Sequence, residues 1–231
     1  MPLPETIVPL ERTSARMRVY DQLRTLIEDG VLQPSETVRD VDIAAQFGVS
    51  RTPVREAFQL LEQLGVLETL PNRHTRVTPV HPEDAALICP PLAALHGIAA
   101  REAAGRMTAS DLQRMKEANA ILYRSERTRD QVAAREADYL FHRIIIERAD
   151  NPYLSAAIDS LQIHSRRLDT LYFARKEFIR ASHHAHEAIL TALASAEREL
   201  AAELAALNIM QSAHVWVRQN AGNDPADGVD G

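Results

Sequence analysis

The sequence predicts a mostly α-helical protein in two parts, a small N-terminal unit carrying a β-hairpin and a longer C-terminal unit of helices alone. Three observations carry that reading. Apolar residues recur at helical spacing along most of the chain, and the two segments that read as strands flank a single turn, Pro71-Asn72-Arg73-His74. Aromatic residues are 5% of the chain while alanine is abundant, which favours helix over sheet. Turn residues punctuate the first third, whereas glycines are few from Glu83 onward.

The elements follow in order. Residues 1–11 hold three prolines and no periodicity, and read as a flexible arm ahead of a first domain over 12–79. A helix then runs from Thr13 or Ser14 as N-cap to Asp29, with Val19, Leu23, Leu26 and Ile27 on one face and Gly30 as its stop. After the turn Leu32–Ser35, a short helix spans Val41–Phe47 and closes at Gly48. The next helix takes Ser50 as N-cap and Pro53 in its first turn, where a missing N–H is harmless. Its buried stripe is Val54, Ala57, Phe58, Leu61 and Leu64, and Gly65 ends it. Val66–Leu70 and Thr75–Thr78 form the two-stranded hairpin, and residues 80–83 are the linker.

Beyond the linker, helices are expected over 92–106, 110–124, 129–149, 152–174, 177–194 and 197–219, within a domain spanning 84–218. Thr108-x-x-Asp111 is a capping box, and Asn151-Pro152 is an N-cap followed by proline at the first helical position. Pro90-Pro91 is expected to break or delay the first of these helices. Residues 219–231 read as a disordered tail.

Composition narrows the function. A chain of 231 residues with 45% hydrophobic and 25% charged residues folds, and none of its segments approaches the roughly 18 uncharged apolar residues of a membrane helix. The start, MPLPETIVPLER, lacks the basic and apolar regions of a secretory signal, and the single cysteine, Cys89, has no internal disulfide partner. The expectation is a soluble, cytoplasmic protein with no membrane association. The net charge of −6 excludes a globally basic nucleic-acid binder, so any DNA contact must come from a local patch.

A patch of that kind is present. Two helices joined by a glycine-containing turn and followed by a hairpin form a winged helix-turn-helix, whose second helix reads bases in the DNA major groove from its N-terminal residues. Here those residues are Ser50, Arg51, Thr52 and Arg55, all turned away from the buried stripe. Arg51 and Arg55 are i, i+4 neighbours, so both guanidiniums can face one groove, and the planar fork suits guanine or phosphate. Solvated surface arginines are the alternative; the wing arginines Arg73 and Arg76 weigh against it.

The run Phe47-Gly48-Val49-Ser50-Arg51-Thr52-Pro53-Val54-Arg55-Glu56-Ala57 also resembles the DNA-binding signature of the GntR family of bacterial transcriptional regulators. The resemblance covers about residues 14–79, including Gly30-x-Leu32-x-Pro34 and Leu64-Gly65-Val66-Leu67. It implies that Arg39, Arg51 and Arg55 contact operator DNA, and that a wing tip of Arg73, His74 and Arg76 enters the minor groove. The family's usual turn glycine after Pro34 is Ser35 here, and its usual wing-tip glycine is His74. The implied partner is a pseudo-palindromic operator, hence a homodimer; the chain offers no leucine-zipper heptad for it.

Further on, Asp138-Tyr-Leu-Phe141-His142, Asn151 and His186-Glu-Ala-Ile189-Leu190 resemble the FCD effector domain of the FadR-type GntR subfamily. That resemblance implies an all-helical bundle that senses small ligands, often carboxylic acids, and in many members binds a metal. Asp138 and His142, at i and i+4, place a carboxylate and an imidazole on one helix face, and the implied third ligand is His186. Such a set suits zinc or nickel better than magnesium or calcium. The implied fourth ligand falls at Asn208, a weak donor. His214 is about 240° round the helix from it, and His164, His183 and His184 are more distant substitutes. Where the family often places an Arg and a Glu facing the ligand, this chain has Leu92 and His96. The effector candidates are therefore His96, Arg101 and Arg166, with Arg167 beside them.

The competing reading is a metal-dependent enzyme built on Asp138, His142 and His186. His186-Glu187 begins like a zinc-protease HExxH but has Leu190 where the second histidine belongs, and neither a phosphate loop nor a dinucleotide-binding glycine pattern is present. A DNA-binding scaffold without an effector is the third possibility.

Overall fold

The computed structural model describes residues 14–71, 74–81, 83–172 and 176–220. The expected arm over 1–11 and most of the expected tail lie outside those residues, as does Arg73. The chain divides into two compact units, Met1–Pro79 and Val80–Gly231.

The first unit contains α1 (Ala15–Glu28), β1 (Thr37–Val38), α2 (Asp40–Phe47), α3 (Arg51–Gln63), β2 (Leu67–Thr69) and β3 (Thr75–Val77). Ser14 caps α1, its hydroxyl accepting from the Met17 N–H at 3.3 Å. Val19, Leu23 and Ile27 of α1 are buried with Val54, Ala57 and Leu61 of α3, so the two apolar stripes share one core. Gly48 ends α2 in the left-handed region at φ 64°, which lets the chain reverse directly into α3. Ser50 occupies the N-cap position of α3, but its hydroxyl makes no capping bond.

The wing has three strands where the sequence predicts two. β1 pairs antiparallel with β3 through Thr37–Arg76 and Val38–Thr75, giving the order β1-β3-β2. A two-residue strand is too short to carry a period-two signal, and its pairing comes from β3. Ser35 turns the chain into β1 at φ 67°, the left-handed region where glycine is usual, and donates its N–H to the Val77 carbonyl at 2.9 Å.

The second unit is helical throughout its described residues: α4 (Asp84–Ala103), α5 (Ala109–Thr128), α6 (Gln131–Ala149), α7 (Pro152–Tyr172), α8 (Lys176–Ala194) and α9 (Arg198–Asn220). The Thr108–Asp111 capping box forms reciprocally, and the Asn151 Oδ1 accepts from the Leu154 N–H at 3.1 Å. α9 reaches Asn220, past the start of the expected tail.

Pro90 and Pro91 do not interrupt α4, which runs through both. The reason lies in which side they occupy. Ala85, Cys89, Leu92, Ala93 and His96 form a buried stripe across the prolines, and that stripe drives the helix. Pro90, Pro91, Ala86 and Leu87 are all exposed, so the Ala86 and Leu87 carbonyls left without donors sit on the outer side of the bundle. Among the described residues, the core of this unit gathers Phe141, Ile144, Ile145 and Ile146 of α6 with Leu92, Met115, Ile158 and Ile189.

Candidate functional site

Two places in the structure concentrate functional chemistry, one in each unit. In the first unit, a groove of about 450 Å³ is lined by Arg39, Asp40, Arg51, Arg55, His74 and Thr75, among others. Four of the residues expected at DNA thus surround one concavity. Arg51 and Arg55 project from the first turns of α3 with side chains 54% and 63% exposed, which is what a base-reading arginine needs. Thr52 is exposed beside them, and Arg39, at the mouth of α2, is exposed and bonded to Asp42 at 2.6 Å. Arg76 faces across the wing to Glu68, its register partner on β2, at 2.8 Å.

Asp40 joins these arginines in a way that the sequence does not disclose. Its carboxylate accepts from Arg51 at 3.0 Å and from Arg55 at 2.5 Å, clamping both guanidiniums to the first turn of α2. Burial pushes the Asp40 carboxyl up, but the bonds from Arg55 and Arg51 outweigh it and hold the group below the usual carboxylate range. Asp40 therefore orients the two arginines and offsets their charge. No local motif signals this role, because Asp40 stands 11 and 15 residues from its partners.

In the second unit, α6 presents Asp138 and His142 on one face, as the i, i+4 spacing requires, and α8 brings His186 to meet them. The His142 and His186 Nε2 atoms are 3.3 Å apart, and the His186 Nε2 lies 3.4 Å from an Asp138 oxygen. His142 is 2% and His186 0% exposed, and Phe141 stacks flat on His186 with ring centroids 3.8 Å apart. His96 reaches the cluster from α4, its ring edge-on to His142 at 5.1 Å. Nδ1 of His142, Nδ1 of His186 and Nε2 of His96 are buried without a hydrogen-bond partner.

Burial sets the charge state. It pushes His142 down to about 4, opposed by a hydrogen bond with Asn208, and holds His96 and His186 well below the ordinary imidazole range. Burial pushes the Asp138 carboxyl up to about 7, with Arg166 opposing. At neutral pH the three imidazoles are neutral, the form that ligates a metal. Zn–N bonds of about 2.0–2.1 Å in a tetrahedron place donor atoms about 3.4 Å apart. The His142–His186 and His186–Asp138 separations match that edge, and the third pair of donor atoms lies within 4.8 Å.

The remaining candidates separate. Arg166 lies near Asp138, stacked over Tyr139 at 4.5 Å and bonded to Glu136 at 2.7 Å. Arg101 does not join the cluster. Five residues beyond His96 it has turned about 140° to the outside of α4, where it pairs with Glu199 at 2.5 Å. Arg167 is buried, and burial lowers it to about 10. His183 and His184 group with Glu187 as a separate set on α8, His184 and Glu187 exposed and His183 half-buried. Gln162 and Asn119 are buried with side-chain oxygens that also lack partners, and no spacing in the sequence singles them out.

Comparison with known proteins places both halves. Residues 15–77 match the family described as bacterial regulatory proteins, gntR family, and residues 92–210 match the FCD domain. The chain belongs to the gntR family of transcriptional regulators, with an N-terminal helix-turn-helix domain and a C-terminal FCD domain. It is 30% identical over 218 residues to the probable D-xylose utilization operon transcriptional repressor of Paenarthrobacter nicotinovorans, covering 94% of this chain and 95% of that one. The fold resembles E. coli McbR/YncC (TM-score 0.80, 22% identity, 90% of this chain and 99% of that chain). It also resembles a putative GntR regulator from Rhodococcus sp. RHA1 (TM-score 0.71, 24% identity, 89% and 99%). These families and relatives are regulators, and nothing in them supports the enzyme reading. No helix among the described residues is long and apolar enough to cross a membrane.

Proposed function

We propose that the protein is a cytoplasmic, ligand-responsive regulator that binds a pseudo-palindromic operator as a homodimer and changes its DNA affinity when a small organic acid occupies the FCD domain. The observation that carries the sensing half is the cluster of buried His142 and His186 with half-buried Asp138, in which His186 stands from each of the other two at a separation that fits a tetrahedral divalent ion. Asp138, His142 and His186 would hold zinc or nickel, with Asn208 or an effector carboxylate completing the shell. A bound ion would supply a positive Lewis-acid centre beside neutral imidazoles. That role matters because Arg101 is outside and Arg166 is already bonded to Glu136, so a carboxylate effector finds its positive partner at the cluster. His96 replaces the charged residue usual in its family and offers the effector a neutral ring nitrogen without another partner.

Arg39, Arg51 and Arg55, with Ser50, Thr52 and the wing residues Arg73, His74 and Arg76, make the operator contacts in this reading. Effector binding alters DNA affinity to the extent that it prefers one dimer geometry, by linkage. The test is operator binding by the zinc-loaded protein, with a panel of small carboxylic acids, sugars and neutral analogues added in turn. A carboxylic acid that shifts operator affinity, and fails to do so in His142→Ala, supports the reading. A response only to uncharged ligands, or none in either protein, defeats the carboxylate-sensor reading and leaves a DNA-binding regulator.

A further inference from the structure

A groove between α5 and α8 lies apart from the Asp138 cluster. The two helices pack against each other, and buried Asn119 ties them by donating its side-chain N–H to the His183 carbonyl at 3.2 Å. One turn along α5, the Tyr123 ring rests on the His183 ring with centroids 4.7 Å apart. Outside this joint the helices bound a space of about 470 Å³, lined by Tyr123, Arg124, Glu126 and Arg127 of α5 and by Arg180 and His184 of α8. His184 and His186 are about 200° apart round α8, so one faces this groove while the other is buried in the cluster.

Helix periodicity sets the lining. Tyr123 and Arg127 are i, i+4 on α5, and Arg180 and His184 are i, i+4 on α8, so two rows of side chains face one concavity. Three guanidiniums stand there against one carboxylate, Glu126, which pairs with Arg180. Arg124 and Arg127 are exposed and, among the described residues, take part in no ion pair. His184, at the rim, meets Glu187 at 3.3 Å. Elsewhere in this unit Arg101, Arg143, Arg148 and Arg166 each hold a carboxylate. The groove thus gathers two positive charges in excess on a chain whose net charge is −6.

We infer that this groove binds the phosphate monoester of a small organic molecule, its phosphate held by Arg124, Arg127 and Arg180 and its organic part laid against Tyr123. Such an ester carries a charge of about −1.5 to −2 at pH 7, which matches the excess. Guanidinium forks take phosphate oxygens in pairs, a geometry that point-charged ammonium groups do not offer. Tyr123 is 55% exposed beside the arginines and leaves an aromatic surface for a sugar or a base. The space also falls within the roughly 300–1,000 Å³ of small-molecule sites, more than a bare phosphate fills. The site is separate from the metal cluster of the proposed function and stands or falls without it.

The test is calorimetric titration of the full chain with ribose 5-phosphate and with adenosine 5′-monophosphate, beside ribose, adenosine and inorganic phosphate. At least one ester should bind, its unphosphorylated parent should not, and inorganic phosphate should bind at least roughly tenfold more weakly. Arg124→Gln and Arg127→Gln, both at exposed positions, should each weaken the ester by roughly tenfold or more, with helix content by circular dichroism unchanged. His142→Ala should bind it as the wild type does. Loss in His142→Ala with retention in the arginine variants would put the phosphate at the buried cluster and overturn the inference. Equal binding by wild type and both arginine variants overturns it too, as does the failure of both esters to bind at millimolar concentration. Inorganic phosphate binding as tightly as the esters removes the organic part of the ligand and defeats the monoester assignment. Displacement of the ester by an unrelated DNA duplex assigns these arginines to DNA backbone and defeats it as well.

Discussion

The Nε2 atoms of His142 and His186 face each other across 3.3 Å, brought together from positions 44 residues apart. Two buried neutral imidazoles with converging nitrogens and unpartnered Nδ1 atoms are poorly satisfied by each other alone. A divalent ion held by both Nε2 atoms and by Asp138 would satisfy the converging pair, while the Nδ1 atoms would still need partners of their own. Calorimetric titration of the metal-free protein with zinc should show one site. His142→Ala should weaken it by more than roughly a hundredfold, the upper end of what losing an outer-shell partner costs. Asn208→His should tighten it by roughly tenfold or more, because it restores a strong fourth donor. Equal zinc affinity in all three proteins would show that the cluster holds no metal.

In the first unit, Asp40 holds both Arg51 and Arg55, the arginines proposed to reach the operator, and would compete with DNA for them. Asp40→Asn should raise operator affinity and steepen its salt dependence, by about 0.9 in the log–log slope for each additional phosphate neutralised. Arg51→Ala and Arg55→Ala should each cost roughly 1–3 kcal/mol if the residue reads a base, with relaxed specificity at that position. Fluorescence anisotropy at several salt concentrations measures all three. If Asp40→Asn binds more weakly while its helix content is unchanged, Asp40 is an essential positioner of the arginines and not a competitor.

Ser35 holds a left-handed backbone at φ 67° that an L side chain adopts at a cost. That cost is about 1–2 kcal/mol, partly offset by the greater freedom glycine has in the unfolded chain. Ser35→Gly should therefore stabilise the first unit by roughly 0.5–1 kcal/mol. A urea midpoint that stays put or falls, at unchanged slope, would contradict this.

Asp111 is pinned at the start of α5. Hydrogen bonds from the Thr108 hydroxyl and N–H, joined by Arg148 and opposed by burial, bring its carboxyl down to about 2 from the usual 3.8. A folded-state value below the unfolded one gives stability that is present above about pH 4 and lost as pH falls toward 2. Asp111→Ala should cost roughly 0.5–2 kcal/mol at neutral pH. The gap between wild type and variant should then close between about pH 4 and pH 2. Parallel stability profiles across that window would mean that the carboxylate is not the source.

Local patterns in the chain determined much of this protein. Ser14 as a cap, the Val54–Leu61 stripe of α3, the Thr108–Asp111 box and the Asp138/His142 pair each depend on residues within two or three helical turns, and each is found where the sequence placed it. The tertiary structure decided the features whose partners are remote. β1 exists because β3 offers it a ladder, and Asp40 acquires its role from two arginines on the next helix. The turn between His96 and Arg101 puts one at the cluster and the other on the surface, although by sequence both are candidates for one pocket. Pro90-Pro91 is the sharpest case. Intrinsic propensity argues for a break there, at about 3 kcal/mol per proline in a helix interior. The buried stripe either side of the prolines outweighs that, because burial is summed over the whole helix while each proline removes one hydrogen bond on its exposed side.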